Sequence, residues 1–180
     1  WSADFVTGVK YHSVVVPTET VLSQCVFFSG CGDPEIYVRP DSTAYCTGFP
    51  EAARRVTERP GEECIDSEKV STILQSVRDA CGHKADDSAA RPALMTTGSV
   101  VEQACYLPTT PDGVPVMGAL PEEEFGKNCF IATGHGCWGI LLGPATGESM
   151  AKLISTGTGT SHVNLSSFRP SRFRKFQLVP

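Results

Sequence analysis

Between Ile131 and Gly147 the chain runs IATGHGCWGILLGPATG, with five glycines and one proline among seventeen residues. An apolar, strand-like run leads in and a helix-like run leads out. Strand, glycine-rich loop and helix together bring backbone N–H groups up to an anion. The first turn of a helix carries unpaired donors and a partial positive charge. Glycine lets a ligand approach that backbone with no Cβ in the way. The loop lacks the Gly-Lys-Ser/Thr of a nucleotide triphosphate site. Gly134, Gly136 and Gly139 match G-x-G-x-x-G by spacing alone, and the acidic residue expected about 20 positions on, after a second strand, does not follow. On spacing alone, a tight turn that merely packs a helix on a strand accounts for these glycines equally well.

The elements that must carry this loop can be read from patterning. GVKYHSVVVP (8–17), QCVFFSG, EIYVRP and STAYCTGFP are β-rich and separated by turn residues, so they predict short strands of an antiparallel sheet. In DSEKVSTILQSVRDACG the apolar residues Val70, Ile73, Leu74 and Val77 fall at i, i+3, i+4 and i+7, one face of a helix. Asp66 or Ser67 can cap its start and Gly82 its end. GHKADDSAARP is polar and predicts a loop. LMTTGSVVEQACYLP predicts a long strand, Thr110–Gly113 (TPDG) a turn, VPVMG a short strand and NCFIAT a compact buried one. Proline is tolerated in the first turn of a helix, so the last helix is predicted to begin near Gly143 or Pro144 and to run to about Ser155. Gly143, Gly147 and Ala151 lie four apart and form a narrow stripe suited to close approach to a sheet. The tail FRPSRFRKFQLVP is basic and predicts a solvated terminus.

Composition narrows the function classes. At 180 residues, 41% hydrophobic and 19% charged, the chain has the makeup of a globular protein with one core. Its net charge of −5 gives no electrostatic case for nucleic acid. No apolar run approaches the ~20 residues that span a bilayer. The eight cysteines (Cys25, Cys31, Cys46, Cys64, Cys81, Cys105, Cys129 and Cys137) include no Cys-x-x-Cys pair for zinc. Cys25, Cys46, Cys105 and Cys129 sit in apolar runs as small hydrophobes would. This usage favours unpaired thiols in a reducing, cytoplasmic compartment.

Longer motifs break the tie over the loop. QACYLPTTPDGVPVMGALP followed by NCFIATGHGCWGILLGPATGESMAKLI resembles the C-terminal part of FAD-dependent oxidoreductases of the D-amino-acid oxidase, glycine oxidase and sarcosine oxidase superfamily. The match is to TPDG-x-P-x-x-G, a strand, then ATGH-x-x-W-G-x-x-x-x-P-x-T-G, in order. It looks nearest to a eukaryotic branch of FAD oxidoreductases that carries ACYLP, TGH-x-CWGIL-x-GPATG and a late FRPSRF. The firm resemblance covers Gln103 to Ile154. A weaker one takes in GVKYHSVVVP and PEIYVRPDSTAYCTGFPE as substrate-domain strands.

The resemblance implies that Gly134, His135, Gly136, Cys137, Trp138, Gly139 and Ile140 lie beside the flavin ring. There the positive helix end favours the reduced flavin anion. It implies loop geometry rather than proton transfer for His135, and packing for Trp138. In sarcosine oxidase-like members a Cys-x-x-x-x-T-x-D segment carries a thioether to the flavin 8α carbon. Cys105, Thr110 and Asp112 stand at that spacing, so Cys105 is a candidate covalent link, with a buried strand thiol as the alternative. Relatives that oxidise amino acids often carry Arg just before the Pro of this segment, to grip the substrate carboxylate. Leu107 stands there instead. Arg39 and Arg91 are weak substitutes, and no residue presents itself as a catalytic base.

The fold implied is α+β: an antiparallel substrate-domain sheet with one helix over residues 1–107, then the last strand and helix of an FAD-binding α/β domain over 108–160, and a tail over 161–180. Nothing before Ile131 resembles the N-terminal nucleotide-binding βαβ. Trp1-Ser2 matches a dipeptide that in relatives follows a nucleotide-domain strand, so the expectation is a C-terminal piece of a longer protein. Alone it would lack the pyrophosphate site, hold FAD weakly and be inactive. The parent is expected to oxidise a C–N bond of a small amine or amino acid by hydride transfer to FAD, with oxygen as acceptor. The alternatives are a non-catalytic flavin-fold protein that binds or traffics a partner, and a stand-alone domain whose loop binds another anion.

Overall fold

The computed structural model describes residues 5–19, 21, 23–30, 32–80, 98–158 and 163–177. Two compact units divide the chain. One takes in Trp1–Val9, Ala53–Val56 and Leu107–Pro180, the other Lys10–Ala52 and Thr57–Tyr106.

The second unit holds most of a five-stranded sheet, made of β1 (Thr7–Pro17), β2 (Val26–Phe27), β3 (Glu35–Val38), β4 (Thr43–Gly48) and β5 (Val101–Thr109). Its order is β2-β3-β4-β1-β5. The β2–β3, β3–β4 and β1–β4 pairs are antiparallel, with Val14 opposite Cys46 and Ile36 opposite Cys46 on its other side. Alternation along each strand decides which side is dry. Val14, Val16, Ile36, Ala44 and Cys46 point into the core, where Val70, Ile73 and Val77 of α1 (Ser67–Ala80) meet them. Each of these aliphatic side chains contributes about 1.5–3 kcal/mol of burial before entropy is charged against it. Asp66 caps α1: its Oδ1 accepts from the Glu68 N–H at 2.9 Å.

His12 occupies an inward position of β1 in line with Val14 and Val16 and is 1% exposed. Its Nε2 accepts the Asp66 N–H at 3.0 Å, which leaves the ring proton on Nδ1. Nδ1 lies 3.6 Å from Glu51 Oε1 and makes no hydrogen bond. Burial first and the Lys10 ammonium second push the imidazole pKa below its ordinary 6.5, with Asp66 acting in the opposite sense. Lys10 itself donates to the Cys64 carbonyl.

The first unit is built on the antiparallel hairpin of β6 (Val116–Ala119) and β7 (Phe130–Thr133), with the single-turn α2 (Glu122–Phe125) in its connection. A 3₁₀ turn, Gly136–Trp138, leads straight into α3 (Gly139–Thr156), which ends on Gly157 with its N–H on the Leu153 carbonyl. Within α3, Ser149 and Met150 are buried and Thr146 and Leu153 half-buried, a face at helical spacing beside β6 and β7.

The C-terminal segment is not a solvated tail over its described part. Pro170 and Phe173 are buried, and the Phe173 ring lies 5.5 Å from that of Phe5. Arg172 Nε donates to Asp112 Oδ2 at 2.8 Å and Nη2 to Asp112 Oδ1 at 3.2 Å. Nη2 also donates to the Val114 carbonyl, and the guanidinium sits 4.2 Å from the Phe173 ring centre. This fork brings the Asp112 carboxyl down to about 2. A depressed carboxylate stabilises the fold above its unfolded value of about 4 and ceases to do so as pH falls through about 2. Asp112 is 42% exposed, so screening limits the pair to about 1 kcal/mol. Asp112→Asn should therefore lower unfolding stability by about that amount at pH 7 and by almost nothing at pH 2, as urea titrations at the two pH values would read.

Several sequence expectations need correction. The last helix starts at Gly139 rather than Gly143 or Pro144, because the 3₁₀ turn supplies its nucleus and Pro144 is accommodated inside. The Gly143–Gly147–Ala151 stripe does not meet the sheet: these residues are exposed, and no atom lies within 4 Å of a Cβ built on either glycine. β7 is half-buried, with Ala132 exposed. Of the cysteines placed in apolar runs only Cys46 is buried, while Cys129 is intermediate and Cys25 and Cys105 are exposed. β2 is two residues long. Gly82, the loop 82–92 and Arg91 lie outside the described residues.

Candidate functional site: the loop from Gly134 to Ile140

Three motifs singled out in the sequence converge around one turn. Thr110, at the end of β5, is 5% exposed. Its hydroxyl donates to the Val114 carbonyl at 2.7 Å, with Asp112 Oδ1 at 3.0 Å, and Gly113 N–H closes the turn on the Thr110 carbonyl. Arg172 holds that turn from the C-terminal segment. On the loop side Gly134 has φ +80°, and a Cβ added there would stand 2.7 Å from Thr110 Cγ2. The turn thus fixes where the loop leaves β7.

Beyond that point φ alternates in sign: +80° at Gly134, −76° at His135 and +56° at Gly136. Alternating handedness turns successive N–H groups toward one side, a concavity that accepts negative charge. Among the described residues no turn or loop hydrogen bond uses the N–H of His135, Gly136 or Cys137; only Trp138 N–H is engaged, by the His135 carbonyl at 3.0 Å. These donors open α3, whose aligned peptides add positive potential at the same end. The His135 ring does not cap the helix. Its Nε2 lies 3.0 Å from Thr146 Oγ1, and Thr146 in turn lies 3.9 Å from Met117 Sδ on β6.

The outer side of the loop is open. No atom lies within 4 Å of a Cβ built on Gly136, and the nearest to one on Gly139 is His135 Cβ at 3.9 Å. Cys137 is exposed, Trp138 is 60% and Ile140 96% exposed. Trp138 therefore does not pack as expected within this chain. Among the described residues nothing engages these donors and nothing meets a Cβ built on Gly136, so the loop fits an electron-rich group laid against bare backbone.

Cys105 lies on β5 in the second unit. Its thiol is pushed above its ordinary value, by desolvation first and the Glu63 carboxylate second, although the residue as a whole is exposed. Less thiolate at neutral pH means a poorer nucleophile. Leu107 is half-buried at the end of the same strand. Arg39 is exposed, with its guanidinium 5.5 Å from the Tyr45 ring centre. Among the described residues no group of His, Cys, Asp and Glu is arranged to hold a metal ion. No described helix is long and apolar enough to cross a membrane.

Thr146, which the P-x-T-G motif holds without a role, matters to this geometry. In the other unit, patterning also passed over His12. His12 carried a signal, being a polar residue in the dry register of a valine-rich strand.

The family model described as "FAD dependent oxidoreductase" matches residues 3–153, so this chain belongs to that family, whose cofactor is FAD. Among curated relatives, the Schizosaccharomyces pombe protein named "Putative oxidoreductase C1F5.03c" is 30% identical over 164 residues, 87% of this chain and 38% of the relative. The D-amino acid dehydrogenase of Vibrio vulnificus is 27% identical over 132 residues, 73% of this chain and 25% of that protein. The chain thus spans between a quarter and two fifths of the length of these relatives. Among solved structures, glycine oxidase from Geobacillus kaustophilus superposes with a TM-score of 0.67 at 24% identity, covering 93% of this chain and 40% of that one. L-proline dehydrogenase from P. horikoshii gives 0.68 at 19% identity, over 95% and 41%. These two likenesses bear on the fold, which is a mixed α/β arrangement with an antiparallel sheet, as expected.

Proposed function

We propose that this chain is the C-terminal part of a flavin-dependent oxidase or dehydrogenase that oxidises a C–N bond of a small amine or amino acid. The observation that carries the reading is the φ alternation at Gly134–Gly136, with donors at the start of α3 that no described residue engages. Gly134, His135, Gly136, Cys137, Trp138, Gly139 and Ile140 would lie along one edge of the isoalloxazine, their N–H groups and the helix end favouring negative charge there. The bound FAD would accept hydride from substrate carbon, and oxygen is the proposed acceptor. Similar proteins support a C–N substrate, among them D-amino acid dehydrogenase, glycine oxidase and iminodiacetate oxidase. Leu107 leaves a simple α-amino carboxylate without the arginine expected there, which favours an amine lacking that group or one gripped elsewhere.

The remainder of the family length would supply the nucleotide-binding segment that this chain lacks. The same segment would cover the exposed apolar side of α3, where Ile140 and Leu141 are 96% and 71% exposed. Residues 1–107 would serve the substrate and 108–160 the cofactor. A reducing, cytoplasmic setting agrees with the free thiols described at Cys25, Cys46, Cys64, Cys105, Cys129 and Cys137, and the chain's negative charge with the absence of a nucleic-acid partner.

A visible spectrum of the full-length protein tests the reading: flavin bands support it, and a colourless folded protein overturns it in favour of a non-catalytic binding or trafficking role, which Leu107 favours. The raised pKa of Cys105 gives a second expectation. Urea should release the yellow colour from the full-length protein, and Cys105→Ser should still purify yellow. Colour retained in urea by the natural protein and lost from C105S would instead assign Cys105 the covalent link.

A further inference from the structure

The backbone at His135 sits between two glycines of positive φ, held at one end by the Thr110 turn and at the other by the Trp138 N–H. Among the described residues, the ring of His135 is the side chain of that stretch with a hydrogen-bond partner outside it. Thr146 holds it at 3.0 Å from two turns inside α3. The Thr146 hydroxyl also lies 3.9 Å from Met117 Sδ on β6. The hydroxyl can donate or accept, so it holds the imidazole in either tautomer. Met117 is 6% exposed and Thr146 half-buried, so both ends of this brace are set in packed structure. Loop, helix and hairpin are thereby tied by three side chains, none of which needs to touch a ligand.

Resting on the flavin reading above, we propose that Thr146 is the positioning residue of the cofactor site: through His135 it fixes the direction of the N–H groups of residues 135–137. Its work is orientation, and removal of its half-buried hydroxyl should appear in cofactor affinity, as an about tenfold rise in dissociation constant, before it appears in stability.

The test uses the full-length protein freed of flavin and titrated with FAD, following quenching of flavin fluorescence. Thr146→Val, which keeps the shape and removes the hydroxyl, should weaken FAD binding about tenfold while the melting temperature of the FAD-free protein stays within about 2 °C of the natural one. Thr146→Ser, which keeps the hydroxyl, should bind as the natural protein does. Unchanged affinity in T146V overturns the proposal. So does equal weakening in T146S, which would assign the effect to the lost methyl group, or a matching fall in melting temperature, which would assign it to the fold. A natural full-length protein that takes up no FAD at all overturns the flavin reading, and the positioning role with it.

Discussion

Gly134→Ala and Gly136→Ala should both weaken FAD binding by the full-length protein, and the first should cost the fold more. At Gly134 two costs add. The left-handed φ of +80° is unfavourable for alanine by about 1–2 kcal/mol. The new Cβ would also stand 2.7 Å from Thr110 Cγ2. Thr110 cannot swing aside without giving up the Val114 carbonyl and Asp112, so overpacking adds about 1–3 kcal/mol. A fall of about 2–5 kcal/mol in unfolding free energy is expected, read by urea denaturation. At Gly136 the φ of +56° carries a similar strain, but the Cβ meets no atom of the chain. Stability should drop by about 1–2 kcal/mol, while the methyl group projects from the open face against which the ring is proposed to lie. FAD affinity in G136A is expected to fall by about 100-fold, the equivalent of roughly 2.7 kcal/mol of steric conflict. Natural FAD affinity in G136A would show that the cofactor does not approach that face.

His12→Leu is expected to cost about 2–3 kcal/mol, because it leaves the Asp66 N–H without its acceptor at the entrance to α1. His12→Gln keeps a carbonyl oxygen near the same place and should lose less. The pH dependence separates the two causes of instability. The folded protein holds His12 neutral below its ordinary value, whereas the unfolded chain takes up a proton near 6.5. Protons bind more readily to the unfolded state in that interval, so stability rises with pH. The contribution is complete above about pH 6.5 and declines as pH falls through 6.5 toward the lower folded value, by at most about 1.4 kcal/mol per unit. Protonating Nε2 would also eject the Asp66 N–H. Lys10 and Lys69 oppose the added charge, while Asp66 and Glu51 favour it only in part. H12Q should flatten the slope of unfolding free energy between pH 7.5 and 5.5. A natural protein with no slope in that range would mean that His12 is free to charge without leaving its place.

Much of the architecture was legible because burial follows period. Alternation located β1, β3 and β4, and the i, i+3, i+4, i+7 row of Val70, Ile73, Leu74 and Val77 located α1 with its Asp66 cap. Patterning failed where tertiary contact overrides a local rule. Proline chemistry placed the start of the last helix at Pro144, but the 3₁₀ turn had already nucleated it five residues earlier. Small residues four apart pointed to a sheet-facing stripe, yet Thr146, Ser149, Met150 and Leu153 make that contact. The basic tail looked solvated because nothing local reveals that Arg172 will find Asp112 sixty residues away. As for the candidate site, its glycines and its place between strand and helix were readable from the first. The signs of φ at Gly134, His135 and Gly136, and the Thr146 brace behind them, depend on contacts between distant segments and had no local signature.

The water-facing surface of α3 has a consequence for the life of this polypeptide. Ile140, Leu141 and Ile154 leave apolar surface exposed on α3, of the kind chaperones and proteases are built to notice. Left uncovered, that surface would mark a copy as an unfinished product and favour its clearance.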